Sequence, residues 1–197
     1  MQQNNGVLRG KLSRGGWSFS YERDGESFYS ATVEVERLSG VCDEVPIIAS
    51  SAVVDRDLDW SSCLTLVGSF RSRNKLVNGK SSLQLYFFAD SVGYDETEQT
   101  NLLHIEGYIC KKPIYRLTPF DREITDLLVA VNRNTKKSDY IPCIAWGRNA
   151  SWAQDLEVGD RISIDGRIQS RKFTKSGDKE ANTRVAYEVS ISRISSI

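Results

Sequence analysis

The sequence is poor in the residues from which most enzyme sites are built. It has one methionine and one histidine, His104, which has no Cys or Asp neighbour at metal-ligand spacing, so it reads as an ordinary strand residue. The four cysteines, Cys42, Cys63, Cys110 and Cys143, form no CxxC pair, which excludes a zinc module of that kind. Each lies in or beside an apolar stretch, so reduced, buried thiols and a cytoplasmic protein are expected. There is no phosphate-cradling GxxxxGK[ST] segment and no glycine-tied carboxylate pair. Asp121, Glu123 and Asp126 cluster in what reads as a variable loop, which is a poor metal site. No catalytic residue, metal or cofactor is expected. No apolar run approaches the roughly 20 residues of a membrane span, and the N-terminus lacks the order of a signal peptide.

Net charge is also absent, with 26 Lys and Arg against 26 Asp and Glu. The balance hides an asymmetry. Residues 1–100 hold 10 cations against 14 anions, a balance of −4, and residues 101–197 hold 16 against 12, a balance of +4. Such a division points to a polyanion-binding surface on the second half.

What the chain does have is one phrase written twice. "RLSGVCDEVPIIAS" (37–50) and "RNTKKSDYIPCIAW" (133–146) superpose Arg37 on Arg133, Asp43 on Asp139, Pro46 on Pro142 and Ala49 on Ala145. Around them "VLRGKL" parallels "HIEGYI", and "LTLVGSFRSR" parallels "ISIDGRIQSR". Period-two alternation dominates, as at Val33 and Val35, Val129 and Val131, and Ile162 and Ile164. Short helices fit only "RNASWAQDL" and "SAVVDRDLDW". Five strands with one helix after the third, repeated, predict an all-β protein of two tandem five-stranded Greek-key barrels of the OB type. Gly10, Gly107, Gly68 and Gly166 fall where strands of such barrels bend. The expected domains are residues 1–92 and 101–197, with 93–100 as a linker.

From "LLVAVNRN" through "SDYIPCIAWGRNA", "LEVGDRISIDGRIQSRKF" and "AYEVSISRI", the second half resembles the bacterial single-stranded DNA-binding protein family. The resemblance covers about residues 101–197, and the first half shares it faintly. It implies non-catalytic, sequence-independent binding of single-stranded DNA in replication, recombination or repair, in a bacterial or phage setting. It also implies base stacking on Tyr140, Trp146 and Phe173, with phosphates followed by Arg133, Lys136, Lys137, Arg148, Arg167, Arg171 and Lys172. Tyr140 and Trp146 are an even number of residues apart, so a regular strand turns both to one face, along with Ile144. Trp152, within the short helix, reads as a core or interface residue.

In the first half Glu44 stands for Tyr140, Ser50 for Trp146 and Lys75 for the third ring, so this barrel is expected to have lost its stacking set. Trp17, Phe19, Tyr21, Phe28 and Tyr29 read as core and interface residues, with a different aromatic surface near the first hairpin as the alternative. The family presents four barrels per assembly, which implies a homodimer. Its acidic, Phe-tipped tail has no counterpart after "SISRISSI", so recruitment of replication or repair enzymes through such a tail is not expected. Two other functions fit the same pattern: a primosome-type protein-interaction and dimerisation adaptor, and a single-stranded RNA binder.

Overall fold

A computed structural model describes residues 3–37, 39–55, 58–77, 79–94, 101–133, 135, 137–174 and 183–197. The period-two stretches form strands. In the first half these are β1 (Asn4–Leu12), β2 (Ser18–Arg23), β3 (Glu26–Glu36), β4 (Cys42–Ser50), β5 (Leu64–Val77) and β6 (Lys80–Gly93), with helix α1 (Ser51–Val54) after β4. The second half repeats the order as β7 (Asn101–Ile109), β8 (Ile114–Leu117), β9 (Glu123–Asn132), β10 (Ser138–Trp146), α2 (Arg148–Ala153), β11 (Arg161–Thr174) and β12 (Thr183–Ser196). Six segments per half make five barrel strands, because the first strand of each barrel is broken: β3 pairs with both β1 and β2, and β9 with both β7 and β8. Glu123 and Asp126, expected in a loop, lie in β9, where Tyr115 donates to Glu123 and Arg116 to Asp126. Gly93, expected in the linker, closes β6 opposite Thr65; residues 95–100 of that linker lie outside the described residues.

Each half closes on itself. The parallel pairs β4–β6 and β10–β12 complete circuits that are otherwise antiparallel, giving two OB-type barrels. Alternate residues fill the interiors: Leu8, Val33, Val45, Ile47, Phe70 and Phe87 in the first, and Ile105, Val129, Ile141, Ile164, Ile168 and Val189 in the second. Helix α2 adds Ala150 and Ala153 to its barrel's core. Small residues allow strands to cross at the closures. A Cβ on Gly10 would collide with the Glu34 carbonyl oxygen, and one on Gly68 with that of Phe88, where the β5–β6 register shifts. The fourth strand of each barrel therefore bends at a glycine beside a bulge. Of the thiols only Cys143 is buried, while Cys42 is exposed on β4, contrary to expectation. A strand alternates whatever its sequence context, and Cys42 falls on an outward position.

The two barrels join in one twelve-stranded sheet through β1 and β7, antiparallel from Asn4↔Ile105 to Leu8↔Asn101. Because β1 and β7 are equivalent strands, this pairing relates the halves by a local two-fold centred on Gly6↔Leu103. A Cβ at Gly6 would lie 2.8 Å from the Leu102 carbonyl oxygen, so the seam closes tightly. Asn4 brackets Phe70, its amide donating to the carbonyl at 2.5 Å and its oxygen accepting from the N–H at 3.0 Å. Asn101 brackets Ile168 in the same way.

The repeated Arg-x-Asp phrase forms the second junction. In the first barrel Arg37 grips Asp43 with two bonds of 2.6 Å, and Asp43 Oδ1 accepts the N–H (2.7 Å) and hydroxyl (2.8 Å) of Ser170, on β11 of the other barrel. Arg37 also donates to the Ser170 carbonyl at 3.0 Å. The second barrel reciprocates. Arg133 forks onto Asp139, Asp139 Oδ1 accepts the Ser72 N–H at 2.6 Å, and Arg133 donates to the Ser72 carbonyl at 2.8 Å. Each long hairpin, β5–β6 and β11–β12, is thus latched to the opposite barrel through a fully buried carboxylate. Burial pushes the Asp43 carboxyl up, but the Arg37 and Ser170 hydrogen bonds outweigh it and hold it below its ordinary value.

Candidate nucleic-acid interface

Strand β10 turns Ile141, Cys143 and Ala145 into the second barrel, so Tyr140, Pro142, Ile144 and Trp146 face out. Tyr140 is 43% exposed and Trp146 39%. Ile144 shares their face, as the alternation requires, yet is only 5% exposed, so the rings flank a packed apolar patch. On β11 the inward residues are Ile162, Ile164 and Ile168, which leaves Arg167, Gln169, Arg171 and Phe173 facing out. Strand β12 lies between, with Ser190 paired to both Ile144 and Arg167. The outer face of β10–β12–β11 therefore carries all three expected rings, Phe173 being 36% exposed, together with two of the expected cations.

The cations divide into groups. Arg171 sits with its guanidinium 5.6 Å from the Phe173 ring centroid and donates to Glu188 at 3.3 Å, while remaining largely exposed. Gln169 donates to the other Glu188 oxygen at 2.9 Å, so a buried carboxylate underlies this part of the face and orients Arg171. Arg148 is exposed at the first turn of α2, directly after Gly147, whose φ of 52° lets the chain turn as soon as Trp146 has been placed. Lys137 is exposed at the β9–β10 hairpin. Lys172 alternates to the opposite side of the β11–β12 ribbon from Phe173, so it does not join the rings. Lys136 lies outside the described residues.

Arg133, expected to contact phosphate, is engaged otherwise. Its guanidinium is bonded to Asp139 and the Ser72 carbonyl, and its hydrogen bond to Asp139 pushes its pKa up. Arg133 is the matched partner of Arg37, and the two hold barrel to barrel. The residues that sequence reading missed are Ser72 and Ser170, and their signal was visible in the matched Ser-Arg pairs of "SFRSR" and "RIQSR". Trp152, expected in a core or an interface, is not in the core: it is 40% exposed on α2, because the helix turns its alanines inward instead. His104 Nδ1 donates to Asp165 Oδ1 at 2.8 Å on the outer side of the seam. Among the described residues no group of three or more His, Cys, Asp or Glu side chains could hold a metal ion, and burial pushes the Cys143 thiol up, away from nucleophilic chemistry.

The model of the single-strand binding protein family matches residues 100–196. Single-stranded DNA-binding protein 2 of Streptococcus agalactiae serotype V is 37% identical over 86 residues, which are 40% of this chain and 66% of that protein. Single-stranded DNA-binding protein A of Bacillus subtilis is 30% identical over 96 residues, 45% of this chain and 56% of that protein. The chain thus matches under two thirds of the length of these relatives. The crystal structure of the wild-type single-stranded DNA binding protein from Thermus aquaticus aligns over 98% of this chain and 92% of its own, with a TM-score of 0.77 at 18% identity, a likeness that extends the shared fold to both barrels. Residues 100–196 thus match the single-strand binding protein family, and they are joined to a first half built on the same barrel plan.

Proposed function

We propose that the protein binds single-stranded DNA without catalysis and with little sequence preference, in replication, recombination or repair. The observation that carries this reading is one outer barrel face with three accessible rings, Tyr140, Trp146 and Phe173, beside Arg167 and Arg171. Rings accept any base, because every base has a π-face, and the cations follow the backbone. Residues 1–92 and 101–197 serve as the two domains, the second as the main binding domain. Titration of the full chain with oligo-dT, read by tryptophan fluorescence, is expected to quench Trp146. Unchanged fluorescence together with no oligo-dT retained on a filter would remove this function and favour a protein-interaction adaptor.

The assembly we propose is a homodimer of four barrels. Its support is on the outer side of the seam, where the cross-strand partners Val67, Val7 and Leu102 form an apolar row across β5, β1 and β7. Val67 and Leu102 are exposed. Two of the three come from the first barrel; the two-fold equivalent of Val7 is His104, paired with Asp165. Linking two chains makes the second strand contact intramolecular and raises avidity without new contacts. Val67→Glu is expected to turn a dimer into a monomer in light scattering at micromolar concentration. A wild-type chain already monomeric there would sink the dimer.

A further inference from the structure

Among the described residues the twelve-stranded sheet ends at β2 on one side and at β8 on the other. An edge strand presents unpaired N–H and C=O groups, and proteins blunt it with bulges and charge. The edge of the first barrel is blunted in this way. Strand β2 carries Glu22 and Arg23, and its register against β3 shifts between Phe19 and Tyr21. The equivalent edge of the second barrel is bare. Strand β8 reads Ile-Tyr-Arg-Leu with all four residues exposed, and its pairing from Ile114↔Asp126 to Leu117↔Glu123 runs without a shift. The one charge in it, Arg116, is already held by Asp126 at 2.8 Å.

The ladder fixes which backbone groups are turned outward. Thr118 N–H donates to the Arg122 carbonyl at 2.9 Å, while the Glu123 carbonyl turns away from β8 and accepts the Gly147 N–H at 2.9 Å. Bonded and unbonded positions alternate in an antiparallel pair, so Ile114, Arg116 and Thr118 bond to β9. Tyr115 and Leu117 direct their N–H and C=O groups to the open side. A second β8 laid antiparallel on this edge has few registers to choose from. A two-fold centred on Arg116 sets two guanidinium groups directly opposite each other, which is unfavourable. One centred on Leu117 runs into the turn where Asp121 N–H folds back onto the Thr118 carbonyl. One centred on Tyr115 avoids both. Tyr115 then exchanges two bonds with its copy, Leu117 N–H meets the Pro113 carbonyl, and Ile114 opposes Arg116.

We infer that the open edge of β8 is a contact for a second copy of this chain, which adds its own β8 antiparallel about Tyr115. A handful of backbone bonds on one short strand falls far below what a stable interface buries, so the edge does not hold two chains together in free solution. It closes between chains that one DNA strand has already brought side by side, where their effective concentration is high. The inference therefore rests on the reading of the chain as a strand binder. The edge is separate from the outer seam face, and two different two-fold contacts used together join dimers into an open row.

The test uses the full chain in a Cys42→Ser background, which removes the exposed thiol, with Tyr115→Cys or Leu117→Cys added. Each variant is oxidised with diamide on oligo-dT of about 16 or about 140 nucleotides, room for one barrel or for two four-barrel particles at about 16 nucleotides per barrel. Tyr115→Cys is expected to give disulfide-linked chains on the long strand at a yield at least about tenfold above that on the short one. Leu117→Cys is exposed too, but in this register it lies about 13 Å along the strand from its copy and is expected to give background only. Leu117→Pro removes an outward N–H and spares the bonds to β9. Added to Tyr115→Cys, it is expected to abolish the link while the affinity for the short strand stays at the wild-type value. Equal yields from Tyr115→Cys and Leu117→Cys, or no linked chains on a long strand that the protein does bind, would overturn the edge contact and leave strand binding standing. A chain that binds neither oligonucleotide would overturn both.

Discussion

Replacing Asp139 or Asp43 with alanine is expected to destabilise the chain by about 3–5 kcal/mol, the largest effect of any single substitution considered. Each carboxylate is fully buried and takes bonds from an arginine of its own barrel and a serine of the other. Removing it leaves a partly buried guanidinium without its counter-charge and strips a backbone N–H of its acceptor. Urea unfolding of the full chain measures the loss, and a change below about 1 kcal/mol would show that the latches are dispensable. Ser170→Ala removes only a hydroxyl and is expected to cost about 1 kcal/mol. The same latches predict acid sensitivity. The folded Asp43 carboxyl is held below its ordinary value, so its stabilisation is fully present above the unfolded value of about 3.9 and is lost as pH falls through the lower folded value. Stability measured from pH 5 downward should therefore decline in the wild type more steeply than in Asp43→Ala.

The second large effect is on binding. Trp146→Ala is expected to weaken oligo-dT binding by about 1–3 kcal/mol with an unchanged salt slope, because stacking releases no counterion. Arg171→Ala is expected to reduce the magnitude of that slope by up to about 0.7, the value for one single-strand phosphate. Its bond to buried Glu188 places the expected change toward the lower part of this range, since a paired cation neutralises a phosphate less fully. Binding measured across a series of salt concentrations separates the two roles. Were Trp146→Ala to change the slope and Arg171→Ala only the affinity, the assignments would be reversed. Arg133→Ala should follow neither pattern: its partners are Asp139 and Ser72, so its loss should appear in unfolding before binding.

By itself the sequence determined the two-barrel plan, the strand faces and the three rings of the second barrel. These follow from local rules: alternation sets which side of a strand faces the core, glycine marks the crossings, and Tyr140 and Trp146 share a face by parity. Only the tertiary structure decided the fate of the repeated arginine and aspartate. In a linear reading Arg133, the counterpart of Arg37, is a phosphate-seeking cation. Their partners Asp43 and Asp139 are six residues away, and Ser170 and Ser72 lie in the other half of the chain, so the latch exists only once both barrels have closed and met. The rings of the first barrel were hidden for the same reason. Ser50 stands where the second barrel has Trp146, and the ring on this part of the first barrel is Phe28 of the neighbouring strand, across a pairing that sequence distance conceals.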